Sequence, residues 1–421
     1  MSGAGQKVHH HEALVIGGGP AGAAAATVLA QAGRDVVLLE ASSGPRYRIG
    51  ESLLPHCYHT LERLGVREKV ARAGFVEKRS VQFISADGTR SRPFYFDSHL
   101  DHPAATTWQV VRKDFDTLLL DHAQKSGVTI RMGTTATRLL ESDGRVVGAE
   151  ARTADGTSHR FETAVTIDAS GRDALAIQQR GWRVPETRLD RLAAWGYFRN
   201  ARQHGGPDEG ATSICSLPGG GWVWFIPLSG EVVSVGVVAR VHELLRGEKD
   251  LPSAFRARCA EQPWVAERLV DAEPEGPTRS TRNYSYHARR CVDDGLLLCG
   301  DAFAFLDPVF SSGVFLALTT GEKAGQVAAG ALGRGRCGAE GLADYPAWLL
   351  GHIEPMRQLI FAFYDSGFSM GRLVRDHPEA APAVTDILTG RTEGDFGPLY
   401  AAIDSAMERP GPLELEMGPG S

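Results

Sequence analysis

The apolar run Ala13-Leu14-Val15-Ile16 leads without a break into Gly17-Gly18-Gly19-Pro20-Ala21-Gly22, and no other stretch restricts the fold as tightly. An alanine-rich helix is expected from Ala23 to Gln31, closed by Gly33, and Val36-Val37-Leu38-Leu39 is a second buried strand ending in Glu40. Two parallel strands joined by a helix form a right-handed βαβ unit, which commits the chain to an α/β fold. Gly17 permits the tight turn, Gly19 lets the backbone approach a pyrophosphate, and Gly22 allows close helix–strand packing, with Ala21 between them. The helix N-terminus presents amide hydrogens and positive potential to phosphates. Glu40 lies 23 positions after Gly17, where an acid can accept ribose hydroxyls. A glycine-rich turn alone carries little weight; the full strand–helix–strand–acid order points to a dinucleotide.

A length of 421 residues suits two intimately joined domains or one core with insertions. A net charge of −6 argues against a nucleic-acid binder, and no apolar run is long enough for a membrane-spanning helix. No signal-peptide pattern is visible, so the expected location is cytoplasmic. Six scattered cysteines without C-x-x-C pairs read as reduced core residues, and no metal site is expected. The pattern predicts a discontinuous cofactor domain (12–80, 105–185 and 281–335), including a small β-meander of Val128–Met132 and Arg145–Glu150. An antiparallel-sheet substrate domain (81–104 and 186–280) and a helical C-terminal lid (336–408) complete the layout. Phe361, Phe363, Tyr364, Phe368 and Met370 are available to close that lid, while 1–11, with its His9-His10-His11 run, and 409–421 read as disordered.

Several further segments carry chemistry. Leu296-Leu297-Leu298-Cys299 is an apolar strand running into Gly300-Asp301, where the glycine allows close approach and the acid can accept hydrogen bonds from a ribityl chain. Trp222-Val223-Trp224-Phe225-Ile226-Pro227 reads as a strand ended by its proline, with both tryptophans on one face and Val223 and Phe225 on the other. By itself this pair of indoles reads as core before it reads as a site. Ser311, Ser312 and Gly313 precede a helical run, so they form either a plain serine cap or a nest of N–H groups for an anion. Arg112 is either a cofactor contact or a surface ion pair, and Lys78 taken alone would be a solvated surface charge.

These segments together resemble the flavin-dependent halogenases. W-x-W-x-I-P is carried unchanged at 222–227, the stretch from Gly300 to Leu318 matches G-D-A-x-x-F-x-D-P-x-x-S-x-G-V, and Pro308 falls inside it. Gly50-Glu51-Ser52-Leu53-Leu54-Pro55 resembles the loop that covers the flavin, and Lys78 stands in the G-F-x-x-K context of the essential lysine. The resemblance spans residues 12–375 and is greatest to bacterial phenol- and pyrrole-type enzymes of natural-product biosynthesis.

The resemblance implies FAD used as FADH2, contacted by Gly50, Glu51, Ser52, Arg112, Gly300 and Asp301, and a halide (chloride or bromide) held by Ser311, Ser312 and Gly313. It implies a flavin C4a-hydroperoxide that oxidises halide to hypohalous acid, which Lys78 confines or carries as a haloamine. It further implies a separate NAD(P)H-dependent flavin reductase and an aromatic substrate, free or bound to a carrier protein or peptide. An FAD-dependent aromatic hydroxylase remains the alternative, with hydroxylation of a peptide tryptophan inside it; an alkene-saturating flavin reductase and a non-catalytic flavoprotein stand behind it. The stretch Tyr364–Met370 departs from the pattern by lacking an aromatic pair before Arg372, which leaves the substrate open.

Overall fold

A computed structural model describes residues 7–44, 48–365 and 369–416. Its cofactor sheet runs in the order Val292–Asp293, Leu296–Leu298, Ser158–Asp168, Lys7–Ile16, Val36–Leu39, Thr129–Arg131. The inner four strands are parallel with one another and with Thr129–Arg131, as the βαβ reading requires. Because helices cover a parallel sheet, its central segments are apolar: Ala13 to Ile16 and Val36 to Leu39 are all buried.

The fingerprint helix, Pro20–Gln31, packs against a long helix, Ser312–Arg334, through small residues. A Cβ at Gly321 would stand 2.2 Å from the Ala21 carbonyl oxygen, and one at Gly325 would stand 2.7 Å from that of Ala25. Two glycines one turn apart thus let the helices touch backbone to backbone, which locks the start of the second helix beside the glycine loop.

The second sheet has seven strands, ordered Glu273–Arg282, Leu192–Arg199, Val232–Ala239, Trp222–Leu228, Thr212–Ser216, Ser80–Ile84, Phe94–Tyr95. One face, with Val223, Phe225, Val235 and Val237, packs on Phe255 and Trp264 of helices Leu251–Glu261 and Pro263–Leu269. The other face looks towards the cofactor sheet. Helices Asp344–Phe363, Met370–Asp376, Ala381–Thr389 and Gly397–Asp404 follow.

Five expectations need correction. Residues 7–11 are not a loose leader: Lys7–His11 pair in register with His159–Thr163, and the His9 ring stacks on Phe161 at 4.7 Å. Their polar pattern reflects an exposed strand end, which composition alone cannot distinguish from a tail. At the other terminus, Leu413 is buried and the Glu416 amide donates to the Arg289 carbonyl at 2.9 Å, so 409–416 are bound to the body. Residues 1–6, Phe368 and 417–421 lie outside the described residues. Thr129–Arg131 forms a parallel edge of the cofactor sheet; the meander is Thr134–Ser142, Arg145–Thr153 and Ser158–Asp168. The expected antiparallel sheet is mixed, because Thr212–Ser216 runs parallel to Ser80–Ile84. Pro227 also fails to end its strand, which continues to Leu228; pairing with Thr212–Ser216 has stopped at Phe225, leaving one open flank where no donor is required.

Candidate active site

A cavity of about 560 Å³ lies between the two sheets, running from the glycine loop to the tryptophan face. At its first end, Gly17 has φ +105° and a Cβ there would lie 2.3 Å from the Ala169 oxygen; a Cβ at Gly22 would lie 1.8 Å from the Gly17 oxygen. Gly19 differs, since nothing stands within 4 Å of its Cβ position. The loop is therefore packed where the fold needs it and open where a ligand would lie. The fingerprint helix has no side-chain cap on its N-terminal amides. The Glu40 carboxylate is held by the Gly18 and Ser42 amides, each donating at 2.8 Å, and lines the cavity.

Asp301 follows the strand Leu296–Leu298 and also lines the cavity. Burial raises its pKa to about 6, with Arg112 and Arg172 pulling the other way. Arg112 is buried at the cavity wall, so its ion pair is not a surface one: its fork donates to Asp116 at 2.9 Å twice and to the Ile49 carbonyl at 2.6 Å. An open Gly19, uncapped helix amides and two carboxylates placed for sugar hydroxyls fit FAD. Gly17, Gly18, Gly19, Glu40, Arg112 and Asp301 would hold it.

The other end is aromatic. Trp222, Trp224 and Ile226 line the cavity while Val223 and Phe225 pack away from it, so strand alternation puts both indoles on one face and the packing of that face brings them to the site. Pro227 is buried but does not line the cavity; Pro308 does. Ser311 adopts a left-handed conformation, φ 56° and ψ 26°, and its side chain caps nothing. A serine held there is costly without a reason, and the turn brings Ser311, Ser312 and Gly313 to the cavity wall at the start of a 23-residue helix. A Cβ at Gly313 would meet nothing within 4 Å. The plain-capping reading is therefore excluded for Ser311, and the arrangement can take an anion.

Several contacts around the cavity escaped the sequence reading. Asp307 lines the cavity and accepts the Val309 amide at 3.0 Å and the Tyr284 hydroxyl at 3.2 Å. The Tyr364 hydroxyl lies 3.0 Å from both Asp307 oxygens and accepts the Trp222 indole N–H at 2.8 Å. Burial lifts Asp307 to about 7, partly offset by these donors. This contact joins the end of helix Asp344–Phe363 to the tryptophan face, and nothing in the local pattern around Tyr364 signals it. Trp195 also lines the cavity, with its indole N–H buried and without a partner among the described residues. Glu51, fully enclosed, accepts the Tyr197 hydroxyl at 2.7 Å, and burial raises its pKa.

Lys78 is the largest departure from expectation. It is completely buried at the end of the short strand Val76–Lys78, yet it is not among the residues lining the cavity. Its Nζ donates to Ser52 Oγ at 2.9 Å and to the Leu53 carbonyl at 3.0 Å, and it lies 5.4 Å from the centre of the Phe96 ring. Among the described residues no carboxylate lies within ion-pair distance of it, and burial depresses its pKa to about 7. His56 and Tyr58, which follow the Gly50–Pro55 loop, do not line the cavity; His56 bonds the Thr389 carbonyl, and burial lowers it to about 4.

The FAD binding domain family matches residues 10–347. A 1H-pyrrole-2-carbonyl-[peptidyl-carrier protein] brominase from Pseudoalteromonas luteoviolacea is 32% identical over 295 residues, covering 69% of this chain and 70% of the brominase. The chain belongs to the flavin-dependent halogenases. Flavin-dependent halogenase armH3 of Armillaria mellea is 36% identical over 335 residues, 74% of this chain and 66% of its own. Among solved structures, the flavin-dependent brominase Bmp2 superposes with a TM-score of 0.84 at 28% identity, covering 94% of this chain and 99% of that one. The chain spans 56–66% of the length of three of the halogenases it matches, two from Armillaria mellea and one from Chondromyces crocatus. The halogenase fold thus accounts for both sheets and the C-terminal helices. Among the described residues, no helix is long and apolar enough to cross a membrane.

Proposed function

We propose that this halogenase uses FADH2, dioxygen and chloride or bromide to place a halogen on an electron-rich aromatic, phenol- or pyrrole-type, in natural-product biosynthesis. The observation that carries the reading is one cavity with a dinucleotide cradle at one end and, at the other, two indoles facing a strained, uncapped helix start. Bound reduced flavin, with dioxygen, supplies the oxidising equivalents that turn halide into hypohalous acid. The chain's residues do the rest. Ser311, Ser312 and Gly313 hold the anion against helix amides, and Trp222, Trp224 and Ile226 exclude water and offer flat apolar surface to an aromatic ring. Lys78, buried without a counter-ion among the described residues, supplies an amine whose proton is readily lost or regained near neutral pH. A single preorganised donor of this kind is worth roughly 2.7–4 kcal/mol in comparable sites. The substrate is free or bound to a carrier protein or peptide, and electrons arrive from a separate NAD(P)H-dependent flavin reductase.

The test supplies FAD, a flavin reductase, NADH and bromide, and follows halogenation of a phenolic trap and of candidate phenols and carrier-bound pyrroles. Wild type should halogenate above a no-enzyme control, and Lys78→Ala should lose roughly 100-fold or more with flavin still bound. Gly313→Asp should fold, because its Cβ position is open, yet require far more bromide, because a carboxylate would face the anion site. Hydrogen peroxide or hydroxylated product alone, unchanged by bromide, would replace halogenation with the hydroxylase reading.

A further inference from the structure

Lys78 has no direct outlet to the cavity, and the groups around it show how it can act there. The segment Gly50–Leu53 docks along the strand Thr107–Gln109: the Val110 amide donates to the Glu51 carbonyl at 2.7 Å, the Leu53 amide donates to the Trp108 carbonyl at 3.0 Å, and Ser52 bridges to Gln109. That strand pairs with Val76–Lys78, Thr107 lying opposite Lys78. Backbone register on both sides of one strand therefore sets the Ser52 hydroxyl against the Lys78 amine, 2.9 Å apart.

The hydroxyl has a second partner. Ser52 Oγ lies 2.9 Å from Thr212 Oγ1, and Thr212 in turn accepts from Gln109 Nε2 at 2.8 Å. The Gln109 amide is oriented, since the same Nε2 donates to the Gly210 carbonyl at 2.9 Å. Ser52 and Thr212 both line the cavity; Lys78 and Gln109 do not. Two hydroxyls share only one hydrogen bond, so whichever donates, the other O–H is left over. Lys78 cannot take it up while it is an ammonium, which has three donors and no acceptor. The unused hydrogen is therefore available to whatever occupies the cavity. Once Nζ is neutral, its lone pair can accept the Ser52 hydrogen and the chain of donors reverses.

We infer that Ser52, steadied by Thr212, is the group through which Lys78 exchanges a proton with the halogenation cavity. In the forward direction an acid in the cavity gives its proton to Ser52 Oγ as the Ser52 hydroxyl proton passes to Nζ. The acid becomes its conjugate base, Ser52 ends unchanged, and the amine becomes an ammonium. Two acids of the proposed function qualify: hypohalous acid and the cationic ring formed when the aromatic takes up halogen. The reverse transfer returns the proton. The inference rests on the halogenase reading for the identity of those acids, but not for the relay itself.

The test uses full-length protein labelled with ¹³C at Cε of its seven lysines, with the Lys78 signal assigned by Lys78→Gln. Its titration is followed by NMR without halide or reductase, and in parallel the pH profile of halogenation is measured. Ser52→Ala removes an acceptor of the ammonium and should lower the Lys78 midpoint by about one pH unit. The same variant should flatten the pH profile near neutrality and slow halogenation at least tenfold. Ser52→Thr, which keeps the hydroxyl, should restore both, and thermal melting and flavin titration show that each variant is folded. An unmoved midpoint and unchanged profile in folded Ser52→Ala overturn the inference. If wild type does not halogenate while Ser52→Ala still moves the midpoint, the halogenase reading falls and the Ser52–Lys78 relay stands.

Discussion

Gly236 tests how the tryptophan face is built. It pairs across the sheet with Trp224, whose indole lies directly over it. A Cβ at Gly236 would stand 2.1 Å from Cζ2, 2.3 Å from Cη2 and 2.4 Å from Cε2. Carbon atoms in contact prefer about 3.5–4.0 Å, so the ring must retreat by more than ~1 Å. It is poorly placed to do so, being 4% exposed and tied by its N–H to Ser234 Oγ at 3.1 Å. Overpacking of this kind costs about 1–3 kcal/mol, and the lost indole hydrogen bond adds about 1 kcal/mol. Gly236→Ala should therefore destabilise the protein by roughly 2–4 kcal/mol and weaken FAD binding as the ring shifts in the cavity wall. Gly196 is the control, two strands away from Trp222–Leu228: its Cβ would meet Phe255 at 3.7 Å and Phe198 at 3.8 Å, ordinary contact. Gly196→Ala should stay within about 0.5 kcal/mol of wild type. Urea unfolding followed by tryptophan fluorescence, with FAD titration, compares the two. Equal behaviour of both variants would refute the claim that Gly236 exists to seat the indole.

Gly19→Ala should melt like wild type yet bind FAD at least tenfold more weakly by fluorescence titration, since its Cβ enters only ligand space; Gly22→Ala should fail to fold, with its Cβ 1.8 Å from the Gly17 oxygen. Lys78 titrates at about 7 when folded against 10.5 ordinarily, so between those values the unfolded chain binds more protons and stability rises with pH, the full penalty being present below about 7. Stability measured against Lys78→Met should accordingly shift by about 4 kcal/mol in favour of wild type between pH 7 and 10.5, and a constant difference would contradict the buried, unpaired ammonium. Tyr364→Phe removes the hydroxyl joining Trp222 to Asp307 and should cost about 1–3 kcal/mol while raising the half-saturating concentration of an aromatic substrate; unchanged melting and kinetics would place the tyrosine outside the site.

The sequence by itself determined everything that depends on neighbours in the chain. Strand, glycine turn, helix and Glu40 follow one another within 28 residues, 13–40, so their geometry is set by local sterics and a single crossover. Alternation along Trp222–Pro227 likewise decided which side chains share a face, because a strand's period is two whatever it packs against. The same logic placed Ser311–Gly313 at a helix start. Tertiary structure alone decided where distant segments meet. Tyr364 reaches Asp307 from 57 residues away and Trp222 from 142, separations over which no periodicity persists. Nor does a lone lysine reveal its burial. Lys78 lies behind Ser52 because strand 107–109 is bordered on one side by residues 76–78 and bridged on the other by Ser52, a register set by backbone hydrogen bonds between segments. Local pattern specifies a residue's face; only the packing of one face on another specifies whether that residue touches the cavity, or acts on it through a neighbour.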